Sequence, residues 1–152
     1  MKKKIRIAFI YKKSNVFLDL KHYDTTYYHF FMDALKRNQK ISVTYFPSDN
    51  SFDTAKLKGK FDIILLYENW NQNVPDKLIG IENVGIPVIA RCGDFHAVKR
   101  YDIISYHDKY KIDYYFGFNT KNLFHEFYPK KFNYKTIIFG LEPSLYESVG
   151  PF

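Results

Sequence analysis

The chain has 152 residues, 46% of them hydrophobic and 20% aromatic, with a net charge of +7. That is the size of one domain with enough apolar material for a core. It excludes a membrane-spanning helix, since no segment approaches the roughly 20 apolar residues one requires, and the single cysteine, Cys92, excludes an internal disulfide or a cysteine-rich metal site.

The start resembles the charged end of a signal peptide, with Lys2, Lys3 and Lys4 before a short apolar run. Arg6 interrupts that run, Lys12 and Lys13 close it, and no small-residue cleavage site follows. Residues 5–11, IRIAFIY, therefore read as a first strand, and a cytoplasmic location is expected. Near-continuous apolar runs with β-branched residues mark strands buried on both faces of a parallel sheet. A polar loop follows over 12–24, and Thr25 or Thr26 can cap a helix. Tyr28, Phe31, Met32 and Leu35 give that helix its apolar stripe.

Residues 41–46, ISVTYF, read as a second strand, and 47–50 as a turn-rich loop. A short helix is expected over 52–57, ended by Gly59. Residues 61–67, FDIILLY, form a third strand, followed by a polar loop containing Trp70. Pro75 suits the first turn of a helix running to about residue 83, with Gly85 breaking it. Residues 86–91 read as a fourth strand and 98–111 as a helix. A fifth strand covers 112–118. Asn119 or Thr120 caps a short helix stopping at Pro129. A sixth strand covers 135–139. Strand and helix in alternation predict an α/β fold, a three-layer Rossmann-like domain with a mostly parallel sheet of about six strands. The domain spans 1–140. Residues 141–152 have little periodicity and read as the start of an interdomain linker or a C-terminal tail.

The common phosphate motifs are missing. No G-x-G-x-x-G follows the first strand, and no G-x-x-x-x-G-K-[ST] occurs. A flavodoxin-like receiver fits poorly too. It needs acidic residues after the first strand, where Lys12 and Lys13 stand, and an aspartate ending the third, where Tyr67 and Glu68 stand.

The strongest candidate site is the loop after the fourth strand. Gly93 lets the backbone bend, and Asp94 and His96 lie two residues apart in one loop. A histidine beside a carboxylate can act as a general base with its tautomer fixed. An aspartate capping the next helix, beside a surface histidine, is an equal reading of the same residues. Lys99 and Arg100, with Asp102, can hold an anionic group or simply form a solvated helix start. Asp24, Thr25 and Tyr28 mark a helix start at the carboxyl edge of the sheet, where capping alone also accounts for them. Glu68, Asn69 and Trp70 lie at the end of the third strand. A Trp beside polar side chains suits sugar stacking, or closes the sheet end. His22, His29, His107 and His125 are scattered, so no metal site is expected.

These pieces together resemble a known family. TTYYHFFMDALKR, FDIILLYE, PVIARCGDFH, YYFGF and IIFGLEPSLY follow in the order of the N-terminal half of GT-B glycosyltransferases of the group-1 kind, near the CgeB-like branch. The most telling piece is FGLEPSLY, residues 139–146. The resemblance implies an acceptor-binding half that transfers sugar from a nucleotide-sugar donor to a glycan or lipid-linked acceptor. The donor would be held by a second domain with no counterpart in these residues, on a longer chain or a partner subunit. It implies that Asp94 and His96 lie near the transferred sugar and that the region around residues 24–28 contacts substrate. It implies no cofactor, and peripheral contact with the inner face of a membrane is compatible with it. One departure is the first loop, which carries lysines where many members are glycine-rich. The alternative is a stand-alone α/β binding or regulatory module using its basic surface on nucleic acid or a protein. The lysines sit at strand and helix ends, as on an ordinary solvated surface, and nucleic acid is not the expected partner.

Overall fold

The computed structural model describes residues 3–15, 30–67, 73–93, 95 and 102–137, with the backbone alone for 30–33. The main sheet is built from β1 (Ile5–Tyr11), β2 (Ile41–Pro47), β4 (Ile63–Leu66), β6 (Val88–Arg91), β7 (Tyr114–Gly117) and β8 (Tyr134–Thr136). Its order is β2-β1-β4-β6-β7-β8, and each neighbouring pair runs parallel. The α/β fold with a six-stranded parallel sheet expected from the sequence is what forms. The physical cause is the apolar run in each strand. Ala8, Ile10, Ile64, Leu66, Val88 and Ala90 are buried on one face, and Ile7, Phe9 and Leu65 on the other.

Among the described residues, three helices connect the strands: α1 (Phe30–Arg37), α2 (Ile103–Tyr110) and α3 (Lys121–Phe127). Asp102 caps α2 by accepting from the Ser105 N–H at 2.9 Å. That answers one question left by the sequence, for Asp102 serves as a helix start. Lys111 closes α2 in the left-handed region, with φ 52°. Thr120, one of the two expected caps, receives the Leu123 N–H at 3.2 Å. The helix expected from 98 begins at Ile103 among the described residues, and 98–101 lie outside them. The start expected for α1 at residues 25–29, and the end of the sixth strand at 138–139, also lie outside.

Two expected helices do not form. Over 75–83 the chain makes a strand, β5 (Lys77–Ile79), and a 3-10 turn at Ile81–Asn83, separated by Gly80 at φ 74°. Over 52–57 it makes β3 (Ser51–Asp53) and a 3-10 turn at Thr54–Leu57. β3 and β5 pair with each other as a separate parallel ribbon, with Phe52 opposite Leu78. The ribbon wins because its members supply backbone partners to one another. The fully buried Thr54 hydroxyl adds a bond to the Ile79 carbonyl at 2.7 Å. The spacing of Leu78, Ile81 and Val84 looks helical, but it places single buried residues of a strand and a turn under the sheet.

Among the described residues, no helix is long and apolar enough to cross a membrane.

Candidate functional site

In an open parallel sheet, ligands bind beyond the carboxyl ends of the strands, where the strand order reverses. Here that point lies between β1 and β4. From β1 the chain crosses to β2 on one side, then returns to β4 on the other.

The loop leaving β1 is stapled to both neighbours. The Lys12 N–H donates to the Asn73 carbonyl at 3.0 Å, and the Ser48 N–H donates to the Tyr11 carbonyl at 3.0 Å. The Ser14 N–H donates to the Asp49 carboxylate at 2.7 Å. That bond holds the Asp49 carboxyl below the usual carboxylate range. Burial pushes the Tyr11 phenol up. The Lys12 ammonium meets Asp76 at 2.7 Å, on an open flank where an ion pair contributes little stability.

Beneath this loop lies a buried amide pair. Asn15 donates from Nδ2 to Oδ1 of Asn73 at 2.8 Å, with the two residues 4% and 3% exposed. Asn73→Ala removes that acceptor inside a dry site. The expected loss is about 1–3 kcal/mol of stability, read by urea unfolding. A loss within about 0.5 kcal/mol, as for an ordinary surface change, would show that the pair does not brace the loop.

On the other side of β4, the last residue of β6 is a charged one, Arg91. Arg91 is half-buried, with its guanidinium carbon 5.4 Å from the ring centre of Tyr67 and 5.3 Å from that of Phe118. These rings follow β4 and β7, the strands flanking β6. The rim thus has a braced polar loop at the reversal and, one strand further on, a guanidinium packed near two aromatic rings.

Of the residues singled out from sequence, Gly93 lies within the described residues, half-buried two positions after β6. Its neighbour Cys92 ties β6 to β7 by donating its N–H to the Phe116 carbonyl at 2.7 Å. Phe95 is 5% exposed and stacks on Phe127 at 5.2 Å, which anchors the chain there to α3. Asp94, His96, Lys99, Arg100, Asp24, Thr25, Tyr28, Glu68, Asn69 and Trp70 lie outside the described residues. Asn15, Asn73 and Arg91 were missed by sequence reasoning. Nothing local marks the asparagines, which stand 58 positions apart. Arg91 carried a signal: a charge closing an otherwise apolar strand. Among the described residues, no three His, Cys, Asp or Glu side chains converge as a metal site would require.

Comparison with known proteins gives no matching family, no matching curated protein and no matching solved structure.

Proposed function

We propose that this chain is the acceptor-binding domain of a glycosyltransferase, working opposite a second domain that holds a nucleotide-sugar donor. The observation that supports it most is the stapled rim at the reversal of a wholly parallel sheet, within the strand and helix order that carries the sequence resemblance. Transfer between two substrates needs both held in reacting geometry, so the cleft requires two walls. This domain alone binds acceptor and turns over little. The acceptor is a glycan or a lipid-linked glycan. Asp94 is the orienting carboxylate and His96 the general base that takes a proton from the attacking hydroxyl. Asp24, Thr25, Tyr28, Glu68, Asn69, Trp70, Gly93, Lys99 and Arg100 form the surrounding acceptor contacts.

The test is acceptor binding by the parent and by Asp94→Ala and His96→Ala, each checked for an unchanged thermal midpoint. Binding about tenfold weaker or worse is expected for each. If both variants bind like the parent, the site is elsewhere. If the parent binds no glycan but binds unrelated nucleic acids with steep salt dependence, the basic-module reading replaces this one.

A further inference from the structure

We propose that the amino end of the main sheet binds single-stranded nucleic acid, with lysines on the phosphates and Tyr114 under a base. In the sequence the lysines form scattered clusters, before strands and after helices. Every strand of the main sheet runs the same way, so all the strand starts come to one end. Lys4 and Lys40 precede β1 and β2, and the Ile5 N–H donates to the Lys40 carbonyl at 3.1 Å. Lys58 and Lys60 precede β4 and flank Gly59, whose carbonyl receives the Arg6 guanidinium of β1 at 3.2 Å. Lys111 precedes β7. Lys131 precedes β8, two residues before Asn133, whose carbonyl receives the Tyr115 N–H of β7 at 2.8 Å. All six lysines are exposed, and none makes an ion pair among the described residues.

Neighbouring strands lie about 4.8 Å apart, so the row from β2 to β8 spans about 24 Å. The acids at this end are fewer. They are Glu82, Asp108 and Asp113, with Asp62 matched by Arg6 at 2.8 Å. A row of ammonium groups follows a row of phosphates without reading sequence, because each is a point charge with no fixed fork. Tyr114 opens β7 and is 53% exposed. An exposed ring beside a basic row is the platform on which an unpaired base stacks. A duplex keeps its bases stacked on one another and gains nothing from the ring. Tyr114 stands opposite Ile89, on the face of the sheet that carries Phe9. It therefore looks across the sheet end, where a flat bilayer meeting the lysines would leave it outside. A strand laid along the row passes over it.

The experiment titrates the 152-residue chain into labelled short single strands of unrelated sequence and their duplexes, read by fluorescence anisotropy. Co-sedimentation with vesicles of phosphatidylglycerol in phosphatidylcholine runs alongside. With four of the six lysines on phosphates, single-strand affinity should fall about 50-fold between 50 and 200 mM salt. Lys58→Glu with Lys60→Glu should weaken binding about tenfold or more and flatten that salt dependence. Lys4→Glu with Lys40→Glu takes the place of that pair should it fail to fold. Lys121→Glu with Lys135→Glu makes the same charge change away from this end, and should leave affinity within about threefold of the parent. Tyr114→Ala should weaken single strands about tenfold and leave the salt dependence unchanged. Equal losses from the amino-end pair and the distant pair would mean attraction by net charge alone, and overturn the inference. A duplex bound as tightly as the single strand overturns it too, as does capture by vesicles without oligonucleotide binding, or no binding at all. The glycosyltransferase reading is decided separately, by glycan binding at the other end of the strands.

Discussion

Phe124→Ala should destabilise the protein by about 3–5 kcal/mol, the range for deleting a fully buried aromatic side chain. Phe124 is 0% exposed at the centre of a stacked aromatic cluster. Its ring lies 4.1 Å from Tyr134 with 12° between planes, and 4.3 Å from Tyr128 with 7°. Tyr115 and Phe95 stand further out at 5.8 and 6.2 Å. The cluster joins α3 to β7, to β8 and to Phe95 beyond β6. Burial also holds the Tyr134 phenol up at about 12, so its hydroxyl stays neutral at any ordinary pH. Truncation leaves a hole that rigid rings on several sides cannot fill. Since a domain of this size is stable by only about 5–15 kcal/mol, the loss is a large share of the total. Urea unfolding measures it. A loss below about 1 kcal/mol would mean that the cluster collapses around the gap and does not anchor the core.

Gly117→Ala should lose about 1–3 kcal/mol by overpacking. Gly117 ends β7 with an ordinary strand backbone, so conformational strain plays no part. The missing space does. A Cβ there would meet the Tyr134 hydroxyl at 2.9 Å and the Cys92 carbonyl oxygen at 3.0 Å. Neither neighbour yields easily. The Tyr134 hydroxyl donates to the Asn119 carbonyl at 3.0 Å, and the Cys92 oxygen is backbone. Relief requires breaking that bond or prising β6 from β7 just where the chain enters Gly93. A lower thermal midpoint, with partial recovery in the Gly117→Ala, Tyr134→Phe double variant, is the expected pattern. An alanine variant as stable as the parent would show that the strands part without penalty.

The strands were legible because a strand buried on both faces leaves its mark within its own few residues. IRIAFIY, ISVTYF and FDIILLY need no distant partner to be read as apolar and β-branched. The cap at Thr120 was legible for the same reason, since a cap bonds an N–H only three residues ahead, whereas the cap at Asp102 was not named because the helix was expected from residue 98. The ribbon of β3 and β5 was not. Each is a three-residue strand held by its partner, and three residues cannot show a period.

The site divides along the same line. Gly93 was found from its position at the end of an apolar run. Asn15 with Asn73, and Arg91 with Tyr67 and Phe118, are contacts between strand ends and loops that only meet once the strands have been ordered. By itself the sequence determined the fold class, six of the strands and most of their extents, because burial writes itself into local composition. Only the tertiary structure decided that β4 lies beside β1, opposite β2, and so where the reversal falls and which side chains share its rim. Strand order is set by pairings between segments far apart in the chain, and no local pattern encodes it.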